Sequence, residues 1–376
     1  MLKKVKFKNF KMFKDETIID LHATKSEILR STNVENGILR GGLFYGGNAS
    51  GKTTALHAIS VLLDMMFKDF KFPNSNICFF SKSTTTMFEY TFEIDSNEIV
   101  YMFVVNKESE ICEERLTVNG EIFLNRIADK ATTSLINHDA PKAVDSKILY
   151  LRSIKFNNGF EEFPVIKKWV DYLENSIYID STISKQVTFN PETYSETNLI
   201  NYLDRYGVSE INEFFKYFSI PFKINCTKTD FAGQMIINVT FTNLKTNCIV
   251  PLQLESYGNK LLIQLLPYLL TIKKTSGMLL IDEFGGGLHN KLTELIIKYL
   301  FKKTTDNQIF VVTHETNLLK TNIIRPDQIF IIDYDETGSK IAKASDASPR
   351  ESQNLEKMYL AGVFGGIPLY DEDKQE

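Results

Sequence analysis

One run of eight residues, Gly46-Gly47-Asn48-Ala49-Ser50-Gly51-Lys52-Thr53, has the types and spacing to hold a chain of phosphates. Gly46, Gly51, Lys52 and Thr53 satisfy the pattern G-x-x-x-x-G-K-[S/T]. Glycines let the backbone curl until several N–H groups converge on phosphate oxygens, and a helix starting there adds the positive end of its dipole. Lys52 can reach the β- and γ-phosphates, the Thr53 hydroxyl can ligate Mg²⁺, and Thr54 continues the contact surface. A second constellation is Gly277-Met278-Leu279-Leu280-Ile281-Asp282-Glu283, a buried-strand run that ends in two carboxylates. Asp282 is placed to hold the metal, and Glu283, just past the strand end, to orient and deprotonate an attacking water. A third apolar strand, Ile309 to Val312, ends in Thr313-His314, where a histidine at a strand C-terminus faces the ligand crevice of an open α/β sheet and can sense a γ-phosphate.

Those groups need a sheet whose strand ends meet. Leu43-Phe44-Tyr45 is a short apolar strand ending directly at Gly46, and Thr54 to Phe67 carries Leu56, Ile59, Leu62, Leu63 and Met66 at helical spacing. The order is strand, loop, helix. Val5, Phe7, Phe10, Ile18, Ile19 and Leu21 read as strands around a polar turn at Lys11–Asp15. Residues 86–125 alternate apolar and polar with turns at Asp95-Ser96-Asn97 and Asn119-Gly120, predicting an antiparallel layer. From Glu161 to Phe218 the spacing turns helical, and the last third alternates strand and helix as the second half of a doubly wound sheet does. The expected plan is an α/β, two-lobed protein. Residues 1–160 form a lobe with the phosphate loop and antiparallel sheet, 161–218 a helical insertion, and 219–376 a lobe with the acidic strand end and the histidine.

Bulk composition narrows the partners. A net charge of -4 over 376 residues predicts no strong unspecific attraction to nucleic acid, although Lys3, Lys4, Lys6, Lys8 and Lys11 form a local basic row. The four cysteines (Cys78, Cys112, Cys226, Cys248) are dispersed without a CxxC pair, which points to free thiols and away from a metal site. No stretch approaches 18 uninterrupted apolar residues, so no membrane span is expected and a cytoplasmic location is.

In combination these motifs resemble ABC-type ATPases of the SMC/RecF/OLD group, and most of all the small bacterial AAA-type ATP-binding proteins of abortive-infection and other anti-phage loci. The resemblance extends to Leu254-Glu255-Ser256-Tyr257-Gly258-Asn259-Lys260, which looks like the serine–glycine signature that opens a helix. It implies that Ser256 and Gly258 of one subunit contact the γ-phosphate held by the other, so that ATP and Mg²⁺ join a homodimer or higher oligomer with composite sites. Gly285-Gly286-Gly287-Leu288-His289 is then expected to cross to the partner. Asn9-Phe10-Lys11-Met12-Phe13 is similar to the family's opening motif near adenine and ribose, which implicates Lys11, and Tyr359 to Pro368 resembles its closing motif. The family's metal-and-water glutamine is missing: Leu151 to Asn158 looks like that loop, with Lys155 or Asn157 standing in. Without a long coiled coil, the resemblance implies an ATP-driven switch for a separately encoded effector, a nuclease or toxin. A RecF-like clamp on DNA is the alternative.

Overall fold

The computed structural model describes residues 1–136, 143–181, 185–190, 198–231, 234–304 and 306–367. The chain opens with β1 (Leu2–Lys8) and β2 (Thr17–Asp20), a short helix α1 (Arg30–Asn33), the two-residue strands β3 (Val34–Glu35) and β4 (Ile38–Leu39), and then β5 (Gly41–Tyr45) and α2 (Lys52–Phe67). A meander follows: β6 (Thr85–Ile94), β7 (Asn97–Asn106), β8 (Ile111–Val118), β9 (Glu121–Ile127) and β10 (Lys130–Thr133). Next come α3 (Tyr150–Asn157), α4 (Pro164–Glu174), β11 (Ile177–Asp180), β12 (Lys185–Thr188), α5 (Leu199–Tyr206) and α6 (Ser209–Tyr217). β13 (Phe222–Phe231), β14 (Gln234–Asn243) and β15 (Ile249–Pro251) lead into α7 (Tyr257–Ile272). The last third holds β16 (Met278–Asp282), α8 (Asn290–Lys303), β17 (Gln308–Val312), β18 (Ile329–Asp335), β19 (Gly338–Lys343) and α9 (Leu355–Leu360).

Two seven-stranded sheets carry the molecule. The antiparallel one runs β10-β9-β8-β7-β6-β1-β2, as the alternation over 86–125 predicts. The other runs β12-β11-β16-β17-β5-β18-β19, with its five inner strands parallel and an antiparallel strand at each edge. Side chains on a strand alternate between faces, so a strand covered on both sides reads as unbroken apolar sequence. That holds here residue by residue. Phe44, Leu280, Phe310 and Phe330 enter the core shared with α2 and the antiparallel sheet. Leu43, Leu279, Ile281, Ile309, Val311 and Ile331 enter the core under α7 and α8. Gln308 stitches the sheets together: its amide accepts from the Leu2 N–H at 2.6 Å and donates to the carbonyls of Leu2 and Leu39 at 2.8 and 2.9 Å.

The segment 161–218 departs from its helical expectation. α4 packs Ile166, Trp169 and Val170 into the N-terminal core, with the Trp169 ring edge-on to Phe92 and Tyr101 at 5.7 Å. β11 then joins the parallel sheet beside β16, with Tyr178 opposite Leu280 and Asp180 opposite Asp282. Four residues are too few to show a period, and Ile177-Tyr178-Ile179 is apolar throughout because both faces of that sheet are covered. The expected boundary at residue 160 likewise does not separate the sheets, since β5 lies between β17 and β18.

Candidate functional site

β5 delivers the chain to Gly46, where a side chain has no room: a β-carbon there would sit 2.3 Å from the Ile332 carbonyl and 2.6 Å from Ser50 Oγ, at a φ of +155°. The loop therefore turns tightly into α2, whose first-turn N–H groups have no acceptor inside the helix. It is pinned from outside by Ser339, which donates from Oγ to the Ser50 carbonyl at 2.6 Å and from its N–H to the Met12 carbonyl at 2.8 Å. The Lys52 ammonium folds back on the loop and donates to the carbonyls of Gly46 and Gly47 at 3.1 and 2.8 Å. Burial pulls that ammonium below its usual value, against the opposing pull of Glu283 and Asp282.

At the end of β16, Asp282 Oδ1 accepts from the Thr53 hydroxyl at 3.1 Å. Burial pushes the Asp282 carboxyl up to about 6, assisted by the charges of Asp180 and Glu283 and resisted by hydrogen bonds from Thr53 and Tyr178. Glu283 follows with a φ of +55°, a left-handed conformation that costs a side-chain-bearing residue roughly 1–2 kcal/mol. The next residues enforce it: the Phe284 N–H donates to the Val312 carbonyl at 2.9 Å, and the Thr313 hydroxyl donates to the Phe284 carbonyl at 2.7 Å. Strain of this kind concentrates where a side chain must be aimed. His314 follows Thr313 at the end of β17; burial and the charge of Lys52 lower its pKa, while Glu283 opposes them. Lys52, Thr53, Asp282, Glu283 and His314 thus share one crevice outside the C-terminal ends of adjacent parallel strands.

The remaining candidates lie elsewhere. Ser256 caps α7, its Oγ accepting from the Asn259 N–H at 3.3 Å. A β-carbon on Gly258 would come within 2.8 Å of the Gly287 carbonyl, so signature and glycine turn touch inside one chain. Among the described residues no hydrogen bond joins Ser256 or Gly258 to loop 46–53. Both sit on a rim with Leu254 and Tyr257 exposed. The Lys11 ammonium reaches His57 Nδ1 at 2.9 Å. Two lysines of the basic row are paired with carboxylates: Lys3 lies against Glu93 and Glu98, and Lys6 against Glu89.

The segment expected to replace the missing glutamine does not approach the crevice. Leu151 to Asn157 belongs to α3, whose first N–H groups, from Tyr150 and Leu151, donate to the buried Glu114 carboxylate at 2.7 and 2.9 Å. Lys155 is occupied by Glu174 at 2.9 Å. Three residues that sequence reasoning missed flank Asp282 instead. Tyr178 Oη lies 3.4 Å from Oδ2, Asp180 is its register partner, and the Ser181 N–H donates to its carbonyl at 3.1 Å. The available signal was Ile177-Tyr178-Ile179-Asp180, an apolar strand ending in a carboxylate like the run at 278–282. The closing motif also finds a place: the Tyr359 ring is 5.6 Å from Tyr45, its hydroxyl lies by the Gly46 backbone, and the Gly366 N–H meets Asp333 at 3.4 Å. Pro368 lies outside the described residues.

The groups present fit a phosphate chain and a hard cation. Ser50 Oγ is buried inside the loop without a hydrogen-bond partner, and the paired oxygens of Thr53 and Asp282 are what Mg²⁺ accepts when phosphate and water complete its shell. Among the described residues no group of three or more His, Cys, Asp or Glu could hold an ion unaided.

Residues 43–320 match the family described as "AAA domain, putative AbiEii toxin, Type IV TA system". No curated protein matches the chain. Among solved structures, an SMC head bound to the C-terminal winged-helix domain of ScpA superposes with a TM-score of 0.55 at 14% identity, over 95% of this chain and 99% of that one. The SMC head domain from Thermotoga maritima gives 0.50 at 14% identity, over 91% and 98%. At that identity the likeness is one of fold: a mixed α/β head of SMC type. No described helix is long and apolar enough to cross a membrane.

Proposed function

The chain belongs to this AAA-domain family, and from that premise we propose that it is an Mg-ATP-dependent ATPase in which two copies close on shared nucleotides to switch a separately encoded effector. The observation that carries the reading is the convergence of Lys52, Thr53, Asp282, Glu283 and His314 on one crevice while Ser256 and Gly258 stay on an exposed rim. In this reading the loop Gly46 to Thr54 cradles the phosphates, and Lys52 leaves its two carbonyls for the β- and γ-phosphates. Glu283 takes the proton of the attacking water, and His314 hydrogen-bonds the γ-phosphate. Mg²⁺, held by Thr53 and Asp282, supplies charge neutralisation on the phosphate oxygens. The Ser256 hydroxyl and the Gly258 N–H complete the partner's site from across a two-fold interface.

For the output, a separately encoded nuclease or toxin in anti-phage defence follows from the resemblance in sequence, and the family's description, which names a putative AbiEii toxin of a Type IV TA system, is the coarser support beside it. The pairing of Lys3 and Lys6 with glutamates weighs against the RecF-like DNA clamp. The test is the mass of the protein in solution with Mg-ATP, for the wild type and for Glu283→Gln. A monomer in both, despite bound ATP, overturns the dimer; a doubling on ATP that reverses after hydrolysis supports it.

A further inference from the structure

Lys11, His57 and Tyr178 form a connected line that ends on Asp282. Lys11 sits in the turn between β1 and β2, fixed by its own N–H, which donates to the Asn76 carbonyl at 2.8 Å. Its ammonium lies 2.9 Å from His57 Nδ1. An ammonium can only donate, so Nδ1 accepts and the ring proton resides on Nε2. Nε2 is 3.1 Å from Tyr178 Oη, and that oxygen is 3.4 Å from Asp282 Oδ2. With its acceptor side filled by the imidazole, the phenol turns its own proton toward the carboxylate. The polarity runs one way, from cation to carboxylate.

The elements make this arrangement directly. His57 stands four residues after Thr53 on α2, so both face the same strands. Tyr178 is two residues before Asp180, so both share a sheet face with Leu280 and Asp282. Asp282 is thereby gripped at both oxygens, Oδ1 by Thr53 and Oδ2 by Tyr178. Tyr178 holds the carboxylate independently of Thr53, so its orientation would persist if Thr53 and Asp282 together held a cation.

Resting on the Mg-ATP reading above, we propose that Tyr178, backed by His57 and Lys11, is the positioning residue that orients the Asp282 carboxylate for the cation. Partners behind a metal ligand are worth about 10- to 100-fold in metal affinity. The inference gives Lys11 a place behind the metal carboxylate.

The experiment is calorimetric titration of ATP at a series of Mg²⁺ concentrations and in EDTA, without turnover. Tyr178→Phe keeps the ring and loses only the hydroxyl. It is expected to raise the Mg²⁺ concentration for half-maximal tightening about 10-fold while leaving ATP affinity in EDTA unchanged. Lys11→Met should shift the same curve less, and Lys11→Arg should restore it, because a guanidinium also only donates. The electron paramagnetic resonance spectrum of the Mn²⁺–ATP complex should broaden in Tyr178→Phe. A wild-type Mg²⁺ curve in Tyr178→Phe overturns the proposal, as does an equal loss of ATP affinity with and without metal. Should Tyr178→Phe fail to fold, His57→Gln reads the same curve. A wild-type protein whose ATP binding ignores Mg²⁺ altogether overturns the proposed function, and this inference with it.

Discussion

The phosphate crevice and the signature rim come from one chain but are built differently. The crevice stands on β5, β16 and β17, parallel neighbours buried on both faces, so its side chains inherit the rigidity of a doubly covered sheet. Behind it, at the foot of β18, Arg325 holds Asp327 through two bonds of 2.9 and 2.8 Å, with both side chains fully buried. The rim stands on the three-stranded sheet β13-β14-β15 and the first turn of α7. There Ile249, Leu254 and Tyr257 are 66, 77 and 65% exposed. A site finished within one chain can bury its scaffold. One that must meet another surface has to leave its last contacts in solvent, apolar side chains included. The contrast supports assigning hydrolysis chemistry to the crevice and subunit recognition to the rim.

The sharpest way to break the comparison is Glu283→Gln. Removing a general base costs roughly 10²- to 10⁴-fold in kcat, so turnover should collapse while calorimetry still shows ATP binding. Near-normal turnover would place the base elsewhere and leave the strained φ of Glu283 without a purpose. The scaffold comes next. Burial alone would raise the Asp327 carboxyl, but hydrogen bonds from Arg325 and Thr24 outweigh it and hold the group below its ordinary 3.8. A depressed carboxylate stabilises the fold above its unfolded value and loses that contribution as pH falls through its folded one. Asp327→Asn should therefore destabilise by about 3–5 kcal/mol at pH 7, the cost of stranding a buried guanidinium, and by less below pH 3.8. Urea unfolding at the two pH values checks the sign. Lys52→Ala should then weaken ATP binding about 10- to 100-fold, the worth of a charge-assisted contact, and lower the unfolding midpoint without nucleotide only by the loss of its two bonds to the Gly46 and Gly47 carbonyls.

The crevice was legible because each part carries its reason in local sequence. A glycine loop must follow a strand, and apolar runs ending in Asp282-Glu283 or Thr313-His314 announce buried strands whose polar ends stay at the sheet margin. The antiparallel layer was legible for the same reason, since alternation over β6 and β7 is a period that a sequence displays. β11 was not, because four residues buried on both faces look the same in a strand or a helix. α3 was misjudged because what fixes it, Glu114 accepting at its N-terminus, lies 36 residues away from Tyr150. The line from Lys11 to Asp282 was hidden for a related cause: its four members come from β1–β2, α2, β11 and β16, and only the sheet order makes them neighbours.

Ser256 allows the finest discrimination, because one side chain is proposed to do two jobs. As the cap of α7 it accepts from the Asn259 N–H, and Ser256→Ala should cost about 1 kcal/mol of stability whatever ATP does. Asp is as good a cap as Ser, so Ser256→Asp should unfold like the wild type. Set against a partner's γ-phosphate, though, its carboxylate meets like charge, and ATP-driven association and turnover should fall several-fold while ATP binding to the single chain is kept. Mixing then decides whether the rim acts across an interface. In a two-fold dimer of Ser256→Asp with Lys52→Ala, one of the two composite sites has both halves intact, and half of randomly paired dimers are mixed. Two variants each deficient alone should thus recover roughly a quarter of wild-type turnover when combined. If Ser256→Asp instead turns over ATP at the wild-type rate, Ser256 is a helix cap and nothing more, and the rim loses its half of the site.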